Sequence, residues 1–329
     1  LTFFSPSGYE IRMNYEGADY VFYLPADTPS NARRFLDIVH PEIAIFIKYE
    51  FWINLLSELR RRKVRSYIVS AIFRRNSVFF RPYGAMWRQA LETFDTLFVQ
   101  NVESKRLLSE IGFDNVVVAG DTRFDRVAQI AAAAQRVETI ERFRGGGRLF
   151  VAGSTWGPDE EILLPLVDAN PDVKRVIAPH EMDEGRIAHL MRDAKGGAVR
   201  YTQCDAATRF DDVQVLVLDT MGMLSSVYGS ATWAYFGGGF GVGIHNTLEA
   251  ATFGLPIAFG PNYGKFKEAR DMVSLGCAVS VRTAGELAAW FAPLRDDEET
   301  LRRASRTAKD YTARNQGATG IILRSIFNS

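Results

Sequence analysis

The chain has 329 residues, is 47% hydrophobic and balances 39 Lys plus Arg against 39 Asp plus Glu; this is enough for two domains of about 100–200 residues, and it excludes a general polyanion or nucleic-acid binder. The two cysteines, Cys204 and Cys277, and the four histidines, His40, His180, His189 and His245, share no ligand spacing. That argues against a disulfide framework, a metal site or a cofactor that needs one, and fits a reducing compartment.

No apolar run approaches the about 20 residues of a membrane span, and no signal-peptide pattern is present. The chain opens on Leu1-Thr2-Phe3-Phe4 without methionine. This run reads as a strand already under way, so the chain is expected to be N-terminally truncated.

From there, short apolar runs alternate with longer amphipathic stretches, the pattern of parallel strands joined by helical crossovers in an α/β fold. Strands are predicted at 20–24, 43–48, 66–70, 96–100 and 116–119. Helices are predicted at 31–39 after the Thr28-Pro29-Ser30 start signal, at 50–62, and at 101–111 before Gly112.

Glu50 stands at the end of the strand 43–48 beside Phe51 and Trp52, which are expected to desolvate it partly. It is either an acid–base carboxylate or the partner of Lys48 or an arginine. The run Arg60, Arg61, Arg62, Lys63 and Arg65, followed by Arg74, Arg75 and Arg81 among aromatics, suits an anionic lipid head group; its first part reads equally as a solvated helix face. The Gly-rich, charged stretch 144–148 reads as a linker. The expected domains are 1–144 on the acceptor side, 145–305 as donor domain, and 306–329 as a closing helix packed back on the first domain.

A second series of strands is predicted at 149–153, 174–178, 213–218, 232–236, 256–259 and 278–281, giving two doubly wound halves. Ligands in such sheets sit beyond the carboxyl ends of strands. Ser154 and Thr155 follow the first of these strands and precede a helix start at Pro158, so they suit an anion or simply cap the helix. His180 follows the next, as a base or phosphate contact or a surface histidine. Asp219 and Thr220 follow a third, as turn, cap or sugar contact. Between two later strands lies GGGFGVGIHNTLEAATFGLPIAFGP. Its Gly237, Gly238, Gly239, Gly241 and Gly243 let amides approach a phosphate; His245 and Asn246 line the entry, and Glu249 suits ribose hydroxyls. The alternative is a flexible turn with Glu249 solvated. The spacing matches neither a Walker A loop nor the GxGxxG fingerprint, and no GxSxG elbow is present.

In this order, SPSGYE, LPADTPSNARRFL, YEFWINLL, FVQN, VAGDTRFDR, AGSTWGPDEE, IAPHE, LDTMGMLSSVYGSATWAYFGGGF, GIHNTLEAATFGLPIAFGPNYGKFKEA and NQGA resemble the 3-deoxy-D-manno-octulosonic acid (Kdo) transferases across nearly the whole chain. The resemblance implies a GT-B glycosyltransferase with two Rossmann-like domains facing across a cleft. It implies an inverting, metal-independent transfer of Kdo from CMP-Kdo to a lipid A precursor (lipid IVA) at the cytoplasmic face of the bacterial inner membrane. Ser154, Thr155, His180, Gly238, Gly239, Asn246 and Glu249 would then hold the donor, joined by Thr220 and Gly243 on the reading of the strand ends and the glycine loop. Glu50 would act at the acceptor side with Arg74 and Arg75. Pro179-His180-Glu181 stands where many members read Pro-Arg-His, Ser70-Ala71-Ile72-Phe73 where they read Asn-Ala-Arg-Leu, and Lys48 where an acid is common. The family's general base is a Glu in a Gly-rich motif ahead of the SPSGYE block, so this chain is expected to bind donor without turning it over. The other readings are a UDP-sugar GT-B transferase or epimerase, and a GT-B domain that only binds.

Overall fold

The structure is a computed structural model that describes residues 1–241, 243–244 and 247–327, the side chain of Ser7 aside. The chain divides into two compact units, one of residues 1–122 and 317–329, the other of 123–316. The first contains β1 (Thr2–Phe3), α1 (Pro6–Arg12), β2 (Phe22–Tyr23), α2 (Pro29–Val39), β3 (Ile43–Ile47), α3 (Ile53–Arg61), β4 (Arg65–Ala71), α4 (Ala85–Leu91), β5 (Thr96–Val99), α5 (Val102–Ser109) and β6 (Val116–Val118).

Helix starts here follow side-chain caps. Thr28 accepts from the Asn31 N–H and Asn101 from that of Ser104. α3 begins at Ile53, later than expected, because Asp27 accepts from the N–H groups of Asn54 and Leu55 at 3.0 and 2.9 Å. Glu50 therefore lies in the loop ahead of α3.

β3 to β6 form a four-stranded parallel sheet in sequence order, and β1 pairs with β2 in a separate ladder. One face of the sheet packs Ile68, Leu97 and Val99 against Leu56 of α3, Leu91 of α4 and Leu108 of α5. The other packs Tyr67, Val69 and Phe98 against Ile322 and Ile326. Those two belong to the last helix, which returns to this unit.

The second unit holds α6 (Thr122–Ala133), α7 (Glu138–Arg144), β7 (Leu149–Thr155), α8 (Gly157–Ala169), β8 (Lys174–Pro179), α9 (Glu184–Asp193), β9 (Ala198–Arg200), β10 (Val215–Val217), α10 (Leu224–Tyr228), β11 (Trp233–Phe236), α11 (Leu248–Thr252), β12 (Ile257–Phe259), α12 (Lys267–Leu275), β13 (Ala278–Ser280), α13 (Ala284–Asp296) and α14 (Glu298–Arg314); α15 (Ala318–Phe327) closes the chain. The division falls at Thr122 rather than at the expected linker at 144–148. Phe124 and Val127 of α6 pack with Leu248, and Ile140 and Phe143 of α7 lie in the core under β7, so both helices belong to the second unit.

Its seven strands are all parallel, in the order β13-β12-β11-β7-β8-β10-β9. Successive residues of each central strand enter opposite cores. Leu149 and Val151 of β7 face one, Phe150 and Ala152 the other; Ala234 and Phe236 of β11 oppose Trp233 and Tyr235 in the same way. Both faces are thus covered by helices, which is why these strands read as unbroken apolar runs. The winding reverses between β7 and β11, placing a topological switch point at their carboxyl ends. β9, a three-residue edge strand of half-buried residues, had no apolar run to announce it. Among the described residues no helix is long and apolar enough to cross a membrane.

Candidate functional site

At the switch point the chain leaves β7 through Ser154, whose backbone takes a left-handed φ of 54° where the β7–β8 register shifts. Such a conformation in a residue with a Cβ is strained and is held only by its surroundings. Those surroundings are tight. A Cβ on Gly237, the first residue after β11, would lie 2.1 Å from the Ser154 carbonyl oxygen, and one on Gly239 would lie 2.6 Å from the Gly260 backbone after β12.

The glycines therefore divide into classes that the sequence alone does not separate. Gly237 and Gly239 let three strand ends come together. Gly238 and Gly243 supply φ values of 86° and 126°. Among the described residues a Cβ on Gly241 would meet nothing nearer than the Gly238 carbonyl oxygen at 3.9 Å.

The expected phosphate cradle needs a correction, because most of its amides are engaged by the protein. The Gly237 N–H donates to the Gly153 carbonyl, and those of Gly241 and Gly243 donate to the Gly238 carbonyl. The Gly238 N–H donates to the carboxylate of Asp159 at 3.0 Å. Asn262 pins the loop from the far side, donating its N–H to the Gly239 carbonyl and its amide NH2 to that of Gly241, each at 2.8 Å.

Asp159 is the centre of this arrangement. It is fully buried, and its two oxygens accept from the Tyr235 hydroxyl at 2.8 Å, the Trp156 N–H at 2.9 Å and the Gly238 N–H. One carboxylate in the first turn of α8 thereby joins β11, the β7–α8 loop and the glycine loop. Burial, with the Asp159 charge second, pushes the Tyr235 phenol far above its ordinary range, so it stays a donor. Asp159 reads in the sequence only as part of a helix start; nothing local marks its long-range role.

Thr155, expected at the ligand, is fully buried, and its hydroxyl donates to Glu160 at 2.8 Å. Arg186 of α9 reaches Glu160 and the Thr155 carbonyl at 3.2 and 3.1 Å and lies over one face of Trp156, 5.5 Å from its centroid. Exposed His180 stacks its ring on Trp156 with centroids 4.6 Å apart, and its backbone N–H donates to the Thr155 carbonyl. Thr155 thus builds the loop, and His180 presents a supported ring to solvent.

The hydroxyl of Thr220 donates to the sulfur of Met223 at 3.1 Å. Asp219 accepts from the Thr202 N–H and hydroxyl at 3.0 and 2.6 Å, fixing the turn after β9. Glu249 of α11 is half-buried and accepts from the hydroxyl of Ser225 in α10 at 2.6 Å. His245 and Asn246 lie outside the described residues.

The candidate residues of the first unit are more exposed. Glu50 is exposed, not desolvated by its aromatic neighbours; Trp52 instead donates its indole N–H to the carboxylate at 2.5 Å. Arg74 is exposed, and Arg75 makes a two-pronged pair with Glu110 at 2.7 and 3.1 Å. Arg60 pairs with Glu92, and Arg61 and Arg62 with Glu58, so this part of the basic run is a charge-balanced helix face. Among the described residues no group of His, Cys, Asp and Glu is arranged to hold a metal ion.

The family described as "3-Deoxy-D-manno-octulosonic-acid transferase (kdotransferase)" matches residues 1–126. A 3-deoxy-D-manno-octulosonic acid transferase of Bordetella pertussis is 27% identical over 314 residues, covering 92% of this chain and 73% of that protein. One of Haemophilus influenzae is 24% identical over 342 residues, covering 98% and 78%. Among solved structures, the UDP-GlcNAc 2-epimerase of Neisseria meningitidis bound to UDP-GlcNAc has a TM-score of 0.68 at 15% identity, covering 100% of this chain and 90% of that one. A UDP-N-acetylglucosamine 2-epimerase from Listeria monocytogenes has a TM-score of 0.63 at 12% identity, covering 97% and 87%. These epimerases share the GT-B fold, and at such identities the likeness speaks for the fold alone. The resemblance drawn from the motifs and the expected α/β, GT-B class both hold.

Proposed function

We propose, for a chain that is a relative of the 3-deoxy-D-manno-octulosonic acid transferases over most of its length, that it transfers Kdo from CMP-Kdo to a hydroxyl of a lipid A precursor in lipopolysaccharide synthesis. The observation that carries this reading is the pinned glycine loop at the switch point of the seven-stranded sheet. Asp159 and Asn262 lock this loop and most of its amides are spent on the protein, so it forms a fixed floor that does not have to reorganise under a sugar nucleotide, and the groups that meet the donor stand beside it.

In this reading Glu249 takes ribose hydroxyls, and the ring of His180 meets the base or phosphate. Ser154 and Gly239 line the approach, and Thr155, Gly238 and Gly243 hold its shape. Glu50, Arg74 and Arg75 serve the acceptor, the arginines through its anionic groups. The reaction is inverting and needs no metal, since the leaving group is stabilised by the protein. The general base is the Glu that the resemblance puts ahead of the SPSGYE block, so donor binding is the first property to test. The acceptor in this reading is a lipid, so the reaction takes place at a membrane surface, and the resemblance implies the cytoplasmic face of the bacterial inner membrane.

The test is thermal unfolding with CMP and with UDP. CMP is expected to raise the melting temperature and UDP to leave it unchanged. Stabilisation by UDP and not by CMP would sink the reading in favour of a UDP-sugar enzyme.

A further inference from the structure

Ser225 lies in the LDTMGMLSSVYG stretch but is assigned no role there, yet its hydroxyl donates to the Glu249 carboxylate at 2.6 Å. The helix that carries it, α10, packs against both β7 and α11. Leu224 and Tyr228 of α10 are the side chains that a Cβ on Gly153 would strike, at 2.7 and 2.3 Å, so this helix is seated against the end of β7 beside the switch point. The Tyr228 hydroxyl is buried and among the described residues makes no hydrogen bond, although the phenol feels the Glu249 charge.

A glutamate carboxylate, at the end of three side-chain torsions, samples several rotamers, and each hydrogen bond to a ligand then costs the entropy of choosing one. A serine proton fixed on one oxygen sets the carboxylate plane in advance, on a group that accepts about four hydrogen bonds in all. We propose that Ser225 is a positioning residue, which orients Glu249 so that it recognises the vicinal hydroxyls of the donor's ribose and thereby sets a preference for ribonucleotides. This rests on the donor reading above.

The test measures affinity for CMP and for 2′,3′-dideoxy-CMP by calorimetry in the whole chain and in Ser225→Ala and Ser225→Thr. The unmodified chain is expected to prefer CMP. Ser225→Ala is expected to weaken CMP by about 5-fold, the loss of one oriented hydrogen bond, and to leave the dideoxy ligand unchanged, so that the preference shrinks. Ser225→Thr, which keeps a hydroxyl, is expected to restore it. Equal weakening of both ligands would make Ser225 a mere support of the loop and overturn the proposal, as would no change in either or equal binding of the two by the unmodified chain. Failure of the unmodified chain to bind CMP at all would instead sink the donor reading itself.

Discussion

At the carboxyl end of β7, the carboxylate of Asp159 is fully buried and takes donors from β11, the β7–α8 loop and the glycine loop. At the carboxyl end of β3, the carboxylate of Glu50 is exposed and takes the indole of Trp52, two residues along the chain. The sheets differ in the same sense. β7 and β11 are enclosed on both faces, whereas β3 is an edge strand with Ile45 and Ile47 about half exposed, at 47% and 55%. An acid after a strand thus has two meanings. Buried and tied to distant partners it shapes the site, and exposed with one local partner it is available to a substrate.

The largest effect should come from Asp159→Ala. It leaves donors unpaired in a buried place and is expected to destabilise the second unit by about 3–5 kcal/mol, read by urea unfolding. Glu50→Ala should stay within about 0.5 kcal/mol, and equal losses would break the comparison. Next comes Gly237→Ala, whose Cβ meets backbone and is expected to cost about 2–3 kcal/mol. Gly241→Ala, with open space, should cost under about 0.5 kcal/mol; the reverse order would mean that the loop is not packed as described.

Glu249→Ala is expected to weaken CMP by about 1–3 kcal/mol in calorimetry, while Glu50→Gln leaves CMP affinity alone. A loss of CMP affinity in Glu50→Gln would move that residue to the donor.

The smallest effect lies in the first unit. Hydrogen bonds from Arg61, and then from Arg62, hold the Glu58 carboxyl at about 2, below its ordinary 4.5, against the opposing effect of burial. Because the folded value is the lower one, the stability it contributes is full above about pH 4.5 and is lost as pH falls toward 2. Glu58→Gln should therefore cost about 1 kcal/mol at pH 7 and nothing near pH 2. A difference that persists unchanged into acid would remove the ion pairs as its cause.

Much of the candidate site is legible in the sequence because it sits where strands end, and apolar runs such as those at 149–153 and 232–236 mark those ends directly. The glycine loop and Glu249 were found that way. Asp159, Asn262, Ser225 and Arg186 were not, since each is an ordinary polar residue locally. Thr155 was placed at the ligand because a hydroxyl after a strand looks the same whether it faces solvent or, as here, Glu160.

The alternation of apolar runs with amphipathic stretches, and the collinear motifs, determined by themselves the α/β class and the kinship to Kdo transferases. Periodicity and motif order are properties of one segment at a time, so they survive without knowledge of neighbours. Tertiary structure alone decided that α6 and α7 belong to the second unit, which glycines serve packing, and that the Gly238 amide is held by a carboxylate 79 positions away. Burial and hydrogen-bond partners arise between segments far apart in the chain, and no local pattern encodes which of them will meet.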